Sequence, residues 1–360
     1  MACMDPVERR RVLTRFANLL TERSDDLHAV PALESGIPIS YAGVLVHNSL
    51  NWKDYAASAA DKLSGEVVPT EPGAAFDYTL VEPVGVVGVI IPWNGPVGSL
   101  GMCAAPPLAA GCCVIIKPSE LAPFSATLFA RLALEAGIPP GVVSVVQGAS
   151  DTGALGWLLV TNGQACTLAS RFIVHRDIYD EYTERLAGLM NDLKVGDAMD
   201  RSTGMGPVIT EAAADRIMGM VDRAKGDGAT LLAGGVRLEM PGFMIAPTLF
   251  GDVDNSSELG QEEVFGPVLS VLRFDHEDEA IALANSSRYG LAGYIHTNDL
   301  NRAFRVASAM ETGNIWVNGG VAPAAANAPF GGYKQSGLGR VGGISGILEY
   351  TRTKNVQIRF

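Results

Sequence analysis

The chain has 360 residues, of which 48% are hydrophobic and 18% charged, and its formal net charge is −12. This length allows two domains, and the composition excludes an intrinsically disordered protein. Because phosphate binding needs positive charge and no basic cluster is present, nucleic acid is excluded as a predicted partner.

Membrane and metal partners are also not expected. The apolar runs are strand-length, far short of a membrane span, and the first residues do not resemble a signal peptide. The five cysteines are irregularly spaced, with no Cys-x-x-Cys pair. This pattern favours reduced thiols over a disulfide or zinc framework, so we predict a cytoplasmic protein without a metal site.

The first part of the chain predicts helices followed by parallel βαβ units. Asp5-Pro6 is a helix-start signal for residues 6–23, and a second helix covers about 40–63. β-branched runs then alternate with helical stretches, which indicates a parallel sheet buried on both faces. The predicted strands are 84–91, 113–118 and 142–148, and the predicted helices between them are 97–110 and 124–136.

The alternation resumes after Cys166 and predicts a second α/β domain. The predicted strands are 171–175, 230–235, 267–274, 292–297 and 314–318, and the predicted helices are 177–193, 211–225, 276–286 and 300–311. The last residues alternate like an edge strand, which suits a contact between subunits.

These patterns predict an α/β protein with two doubly wound parallel sheets and a C-terminal oligomerisation strand. We place a Rossmann-like cofactor domain at 1–161, a catalytic domain at 162–335 and a C-terminal tail at 336–360. The third run of the first domain leads directly into TNGQAC, whereas such a domain normally continues with further strands and helices. The cofactor domain is therefore expected to be incomplete.

Cys166, in NGQACT, is the candidate nucleophile. A thiolate can add to an aldehyde carbonyl, lose hydride to a nicotinamide and leave a thioester. A single cysteine is more often a small buried apolar residue, and its own context does not decide between these readings.

Asn94, in IIPWNGP, follows the first strand of the predicted sheet. Ligands bind at the carboxyl ends of such strands, where a side-chain amide can donate to an oxyanion. The alternative is an Asn-Gly turn residue with no further role.

Two further motifs carry candidate cofactor contacts. The KPSE motif, with Lys117, Ser119 and Glu120, follows the second strand. Lys and Glu at this position are suited to hydrogen bonds with ribose hydroxyls. The alternative is an exposed charged loop. Glu263 and Phe265, in EEVFGP, precede a strand of the second domain, and taken alone are better read as a helix-end charge and a core aromatic. No G-x-G-x-x-G fingerprint accompanies them.

Taken in order, the motifs resemble those of the aldehyde dehydrogenase superfamily, and the likeness runs from about Asp5 to the C-terminus. The matching motifs are IIPWN, KPSE, GIPPGVVSVVQG, GQACT, EEVFGP, GNIWVN and PFGGYKQSGLGR. Seven spaced matches are specific, whereas any one would be weak.

The resemblance implies an NAD- or NADP-dependent enzyme that oxidises an aldehyde and assembles as a homodimer or homotetramer. It implies Cys166 as nucleophile, with the Asn94 amide and the Cys166 backbone N–H as oxyanion donors. The positions implied at the cofactor are Ile91, Pro92, Trp93, Lys117, Ser119, Glu120, Gly148, Glu263 and Phe265. Glu120 favours NAD over NADP.

The chain also departs from the family pattern. A Phe-Thr-Gly-Ser-type turn and a Glu-Leu-Gly-Gly-type turn usually precede the catalytic Cys, and neither precedes Cys166. Several dozen residues are missing around 160–162, including the usual general base. Cys103 and Val341 stand where the family often has a lysine and an acidic residue. The amino-terminal strands that usually precede the first helix are absent too.

Three interpretations therefore stay open at this point. The first is an aldehyde dehydrogenase, or a shortened relative of one. The second is an inactive or half-active member that cannot hydrolyse its thioester. The third is that the deletion is an artefact of gene calling or genome assembly, or was engineered.

Overall fold

The computed structural model describes residues 1, 4–71, 75–147, 161–164, 166–318 and 324–359. Its helices are α1 Pro6–Glu22, α2 Ser24–Ser35, α3 Ile39–Ala59, α4 Pro96–Ala110, α5 Phe124–Glu135, α6 Arg176–Asn191, α7 Glu211–Gly226, α8 Glu258–Gln261, α9 Glu277–Asn285, α10 Leu300–Ala309 and α11 Gly343–Leu348. Its strands are β1 Val67–Val68, β2 Ala75–Pro83, β3 Val86–Ile91, β4 Cys113–Pro118, β5 Val143–Val145, β6 Arg171–His175, β7 Thr230–Ala233, β8 Thr248–Gly251, β9 Val268–Phe274, β10 Ala292–Ile295, β11 Asn314–Val317 and β12 Thr351–Arg359.

The first helix begins where the sequence predicts. The Asp5 carboxylate accepts hydrogen bonds from the backbone N–H groups of Val7 (2.9 Å) and Glu8 (3.2 Å), and Pro6 occupies the first helical position. This is a capped start, in which proline loses no helical hydrogen bond. The predicted helix at 6–23 is therefore confirmed.

The first parallel sheet has the order β3-β4-β5 within the described residues. Helices α4 and α5 connect its strands, and α4 contributes Leu100 and Leu108 to a core shared with α1 and α3. Other side chains of the sheet face solvent: Val86 is 64%, Ile90 74% and Ile115 42% exposed. A parallel sheet is normally covered on both faces, so this exposure agrees with an incomplete cofactor domain.

The second sheet, ordered β6-β9-β8-β7 in the described residues, corrects the expectation of an all-parallel arrangement. β6, β9 and β8 are parallel, but β7 runs antiparallel to β8. Residues 234–247, which join β7 to β8, contain no helix. Parallel strands are usually joined by a helical crossover, and this connection has none, so the chain returns antiparallel.

The C-terminal strand β12 pairs antiparallel with β2, from Thr351 opposite Pro83 to Arg359 opposite Ala75. β1 pairs with the other side of β2, which leaves β12 at the edge of this sheet in the described residues. The predicted edge strand is thus confirmed, while its role between subunits stays a prediction. The preceding helix α11 places Ile347 in the core of the first domain. No helix of the described residues is long and apolar enough to cross a membrane.

Candidate active site

The turn before Cys166 is fixed by the buried amide of Asn162. Its Nδ2 donates to the carbonyl oxygens of Gly36 (3.1 Å) and Pro207 (2.8 Å). Its Oδ1 accepts from the backbone N–H of Gly206 at 2.7 Å. Asn162 adopts a φ of 59°, which asparagine tolerates better than most residues because it hydrogen-bonds locally. This residue therefore ties the turn to two segments that are distant in sequence, around Gly36 and around Pro207.

Gln164 holds the other end of the same turn. Its Oε1 accepts from the Ile209 backbone N–H at 3.0 Å, and its Nε2 donates to the Thr161 carbonyl at 3.2 Å. Sequence reasoning missed both amides, although Asn-Gly followed by Gln directly precedes the candidate nucleophile. The turn is thus cross-linked by hydrogen bonds before the chain reaches Cys166.

Asn94 lies against this turn, as its position after β3 predicts. It is 5% exposed, and its Nδ2 donates to the backbone carbonyl of Gln164 at 2.8 Å. Its Oδ1 is buried without a hydrogen-bond partner in the described part of the chain. A side-chain amide has two N–H donors, so one remains for another acceptor. The structure therefore brings Asn94 to the turn that carries Cys166.

The segment with Phe265 packs against the same turn. A Cβ built on Gly163, whose φ is +78°, would lie 2.2 Å from the carbonyl carbon of Gly266, so only glycine allows this approach. The Phe265 ring packs edge-on against the Trp93 ring, with 6.0 Å between centroids. Phe265 itself has a φ of 60°, a strained value that is often found at functional sites. The IIPWN and EEVFGP motifs, which are distant in sequence, therefore meet at the turn that precedes Cys166.

The Cys166 residue is exposed to solvent, yet protein atoms surround its thiol closely enough to desolvate it in part. Partial desolvation, and then the negative charge of Glu263, raise the pKa of this thiol to about 11. Burial and a nearby carboxylate both disfavour a thiolate. The thiol is therefore protonated at neutral pH and needs a proton acceptor when it attacks.

Glu263 is solvent-accessible in the same crowded surroundings. Desolvation raises the pKa of its carboxyl to about 7, and the positive charge of Arg216 opposes this rise. The carboxylate has no hydrogen bond or ion pair with the described residues. Its charge acts on Cys166, so the structure brings these two residues of the predicted site together.

An aromatic pair that sequence reasoning did not single out lies next to the nucleophile. The Tyr294 hydroxyl donates to the Thr167 backbone carbonyl at 2.8 Å, and its ring stacks on Trp316 with centroids 5.2 Å apart. Desolvation, opposed by the hydrogen bond to Thr167 and assisted by Cys166, raises the pKa of Tyr294. Trp316 belongs to the GNIWVN motif, which was the available signal.

The KPSE residues form a polar group at the carboxyl end of β4. Lys117 Nζ lies 3.7 Å from Glu120 Oε2, and the Ser119 backbone N–H donates to the Ile91 carbonyl at 3.1 Å. The Ile91 side chain is buried in the core, whereas Pro92 is half-buried beside Trp93. Gly148, also predicted at the cofactor, lies outside the described residues.

These groups suit the two ends of a dinucleotide. An ammonium and a carboxylate at the end of a parallel strand can bind ribose hydroxyls. Trp93, Phe265 and Glu263 line the side nearest to Cys166. The family turn that would contact the cofactor between these ends has no counterpart before Cys166. The fit to a nicotinamide dinucleotide is therefore good at the ends.

The structure thus brings the Asn94 amide, at the carboxyl end of β3, to the turn that carries the Cys166 thiol, with the Trp93 and Phe265 rings packed on each other nearby. Comparison with known proteins assigns the family. The profile of the "Aldehyde dehydrogenase family" matches residues 1–156 and 153–356. The chain belongs to this family, whose members oxidise aldehydes.

Individual relatives agree with this family assignment. An aldehyde dehydrogenase from Emericella nidulans is 34% identical over 415 residues, covering 98% of this chain and 83% of the relative. The crystal structure of an NAD-dependent aldehyde dehydrogenase from Sinorhizobium meliloti superposes with a TM-score of 0.95 at 31% identity, covering 99% of this chain and 83% of that one. The crystal structure of an NADP-dependent enzyme of E. coli also superposes with a TM-score of 0.95 at 30% identity. The match covers 100% of this chain and 87% of that one.

These relatives bear on two predictions. The predicted family fold is confirmed by the superpositions, and relatives described as NAD- and NADP-dependent agree with the predicted nicotinamide cofactor. The alignment of 415 residues exceeds the 360 of this chain, so part of the relative has no counterpart here. The two family matches meet at residues 153–156, next to the predicted gap.

Proposed function

We propose that this chain oxidises an aldehyde to a carboxylic acid through a thioester on Cys166. The observation that carries the proposal is the hydrogen bond from the Asn94 amide to the Gln164 carbonyl. It joins the end of β3, where α/β sheets bind ligands, to the turn that holds the thiol. Family membership supports the reaction class.

In the proposed mechanism Cys166 sulfur forms a bond to the aldehyde carbon, and the thiol proton leaves to a base. The carbonyl oxygen becomes an oxyanion, which accepts hydrogen bonds from the free Asn94 N–H and the Cys166 backbone N–H. A bound nicotinamide supplies the acceptor for the hydride that leaves the same carbon. The resulting thioester on Cys166 is then hydrolysed to acid and thiol.

The proposed cofactor residues follow the two ends of the site. Lys117 and Glu120 would hold the adenosine ribose, with Ser119 nearby, whereas Gly148 is proposed from the family resemblance alone. Ile91, Pro92, Trp93, Glu263 and Phe265 would lie along the nicotinamide half. A carboxylate at Glu120 favours NAD, since it accepts from a 2′-hydroxyl and repels a 2′-phosphate.

The test is NADH formation with a panel of aldehydes by the wild-type chain, Cys166→Ala and Cys113→Ala. Cys113 is a half-buried free thiol in β4 and serves as the matched control. We expect activity in wild type and Cys113→Ala and none in Cys166→Ala. Absence of activity in wild type, or full activity in Cys166→Ala, would disprove the proposal.

A half-active protein is the competing proposal, favoured by the missing Glu-Leu-Gly-Gly-type turn. Such a protein would form acyl-Cys166 and hydrolyse it very slowly, because losing a positioned base typically costs ~10²–10⁴-fold in rate. One burst of NADH with acyl-Cys166 trapped in intact-mass spectra would support it. Steady multiple turnover would exclude it.

Assembly and location belong to the same proposal. The outer edge of β12 has no strand partner in the described residues, so a second copy could extend this sheet into a homodimer or homotetramer. Light scattering behind a sizing column measures this. The described cysteines are free thiols, which supports a reducing, cytoplasmic location.

A further inference from the structure

Hydrolysis of acyl-Cys166 needs a proton acceptor, which in the family usually comes from a residue that precedes the nucleophile. This chain lacks the Glu-Leu-Gly-Gly-type turn that carries it. Among the described groups whose charge acts on the Cys166 thiol, Glu263 is the carboxylate. Whether the thioester can be hydrolysed therefore depends on the position of Glu263 relative to Cys166.

The backbone geometry brings Glu263 to the nucleophile. Gly163, three residues before Cys166, touches the backbone of Gly266, three residues after Glu263, so closely that a Cβ would meet it at 2.2 Å. The segment between Glu263 and Gly266 contains Phe265, whose ring packs on the Trp93 ring. The contact between Gly163 and Gly266 therefore holds the segment that carries Glu263 against the turn that precedes Cys166.

The carboxylate is also available for chemistry. Arg216 on α7 is the described cation whose charge acts on Glu263, and its Nη1 donates to Met220 Sδ at 3.6 Å rather than pairing with the carboxylate. Neighbouring Glu262, by contrast, is ion-paired with Arg288 on the surface. Glu263 is therefore an unpaired carboxylate that water can reach.

We propose that Glu263 is the proton acceptor for hydrolysis of acyl-Cys166, in place of the base that the family usually carries. This inference rests on the proposed thioester function. A water oxygen forms a bond to the thioester carbon while the carboxylate takes one of its protons. The carbon–sulfur bond then breaks, and protonated Glu263 returns the proton to the departing sulfur. Acid and thiol result, and no further reactant is needed.

The acidities of the two groups suit this exchange. The pKa of Glu263 is raised to about 7, so a useful fraction is ionised at neutral pH. The pKa of Cys166 is raised to about 11, so the sulfur takes a proton from the protonated carboxyl readily. A base whose pKa lies near the working pH is the most effective one.

An ester substrate tests the step without cofactor. With p-nitrophenyl acetate we expect a Cys166-dependent burst of nitrophenolate, followed by a steady phase limited by hydrolysis of acetyl-Cys166. Glu263→Gln should keep the burst and lower the steady rate by ~10²-fold or more, with acetyl-Cys166 accumulating in intact-mass spectra. Glu262→Gln, the matched neighbouring carboxylate, should leave both phases unchanged.

Two further readouts protect the test against misfolding of one variant. Glu263→Asp keeps a carboxylate and should hydrolyse acetyl-Cys166 faster than Glu263→Gln. In wild type the steady rate should rise with pH through about pH 7, because Glu263 ionises over this range. The groups whose charge is coupled to Glu263 are the Cys166 thiol and the Arg216 guanidinium.

The inference is overturned if Glu263→Gln hydrolyses acetyl-Cys166 at the wild-type rate, or if the wild-type steady rate is flat across this pH range. It is also overturned if both Glu263 variants fold but lose the burst, since Glu263 would then act before the thioester. If Cys166→Ala keeps the burst, the proposed function fails instead.

Discussion

At the residue scale, Lys53 in α3 is a charged residue placed in the main core. It is 4% exposed, its Nζ donates to Ser49 Oγ, and it lies 5.2 Å from the centroid of the Phe129 ring. Burial lowers the pKa of Lys53 to about 7. An ammonium loses hydration in such surroundings, so the residue is held partly neutral at the cost of stability.

Replacing Lys53 by Met should stabilise the fold most at low pH. Below about pH 7 the lysine is charged in both folded and unfolded chains, and the cost is complete, on the order of 5 kcal/mol from the size of the shift. Between this pH and the unfolded pKa of about 10.4, the folded chain binds fewer protons, so the cost shrinks as pH rises.

Denaturant unfolding of wild type and Lys53→Met at several pH values measures this effect. Lys62→Met, a change to a lysine that is 63% exposed, is the control and should show little pH dependence. A Lys53→Met gain that is constant with pH would contradict the explanation.

Residue-level predictions from sequence were possible where a motif named the residue. Asn94 and Cys166 were identified by their motifs, and the structure brings Asn94 to the turn that carries the thiol. Asn162, Gln164 and Tyr294 were missed because their importance lies in hydrogen bonds to segments distant in sequence. The roles of all these residues in catalysis stay predictions.

At the element scale, the turn before Cys166 depends on one glycine. Gly163→Ala should displace the turn, because its left-handed φ of +78° is unfavourable for alanine and the new Cβ would meet Gly266. We expect a lower melting temperature and loss of the Cys166 burst. Gly188→Ala, in an exposed and open position of α6, should stabilise by about 0.5–1 kcal/mol. A Gly163→Ala variant with wild-type melting and burst would show that the contact is unimportant.

Elements with local signals were predicted, and those that depend on distant partners were not. Helix α1 was predicted from its N-terminal cap, and strand β9 was predicted from its apolar run. Helix α2 was missed, since Pro31 in its interior argues against a helix. Strand β8 is buried along its whole length, so it shows no alternation.

At the scale of the whole molecule, apolar side chains of the β3-β4-β5 sheet face water. Aldehyde dehydrogenase relatives are longer than this chain, and the first sheet would normally have helices on both faces. The sequence predicted an incomplete sheet from the early arrival of TNGQAC. It did not predict which side chains would be left exposed, because that depends on strand register.

This exposed face should promote self-association at high concentration. Ile90→Thr removes apolar surface at a position that is 74% exposed and keeps a β-branched side chain, so light scattering should fall with little loss of stability. Val89→Thr, one residue earlier and 5% exposed, should instead destabilise the fold. Equal scattering by wild type and Ile90→Thr would rule out this face as the cause.

The pairing of β12 with β2 has a consequence for synthesis. Lys354 and Glu82, which are paired across these strands, lie 272 residues apart. At about 5–20 residues per second, a ribosome needs roughly 15–50 s to make that stretch. For that time β2 is exposed on the nascent chain without the strand that completes its ladder. Chaperone dependence during translation is therefore expected to centre on β2, and cells that lack nascent-chain chaperones should yield less folded protein.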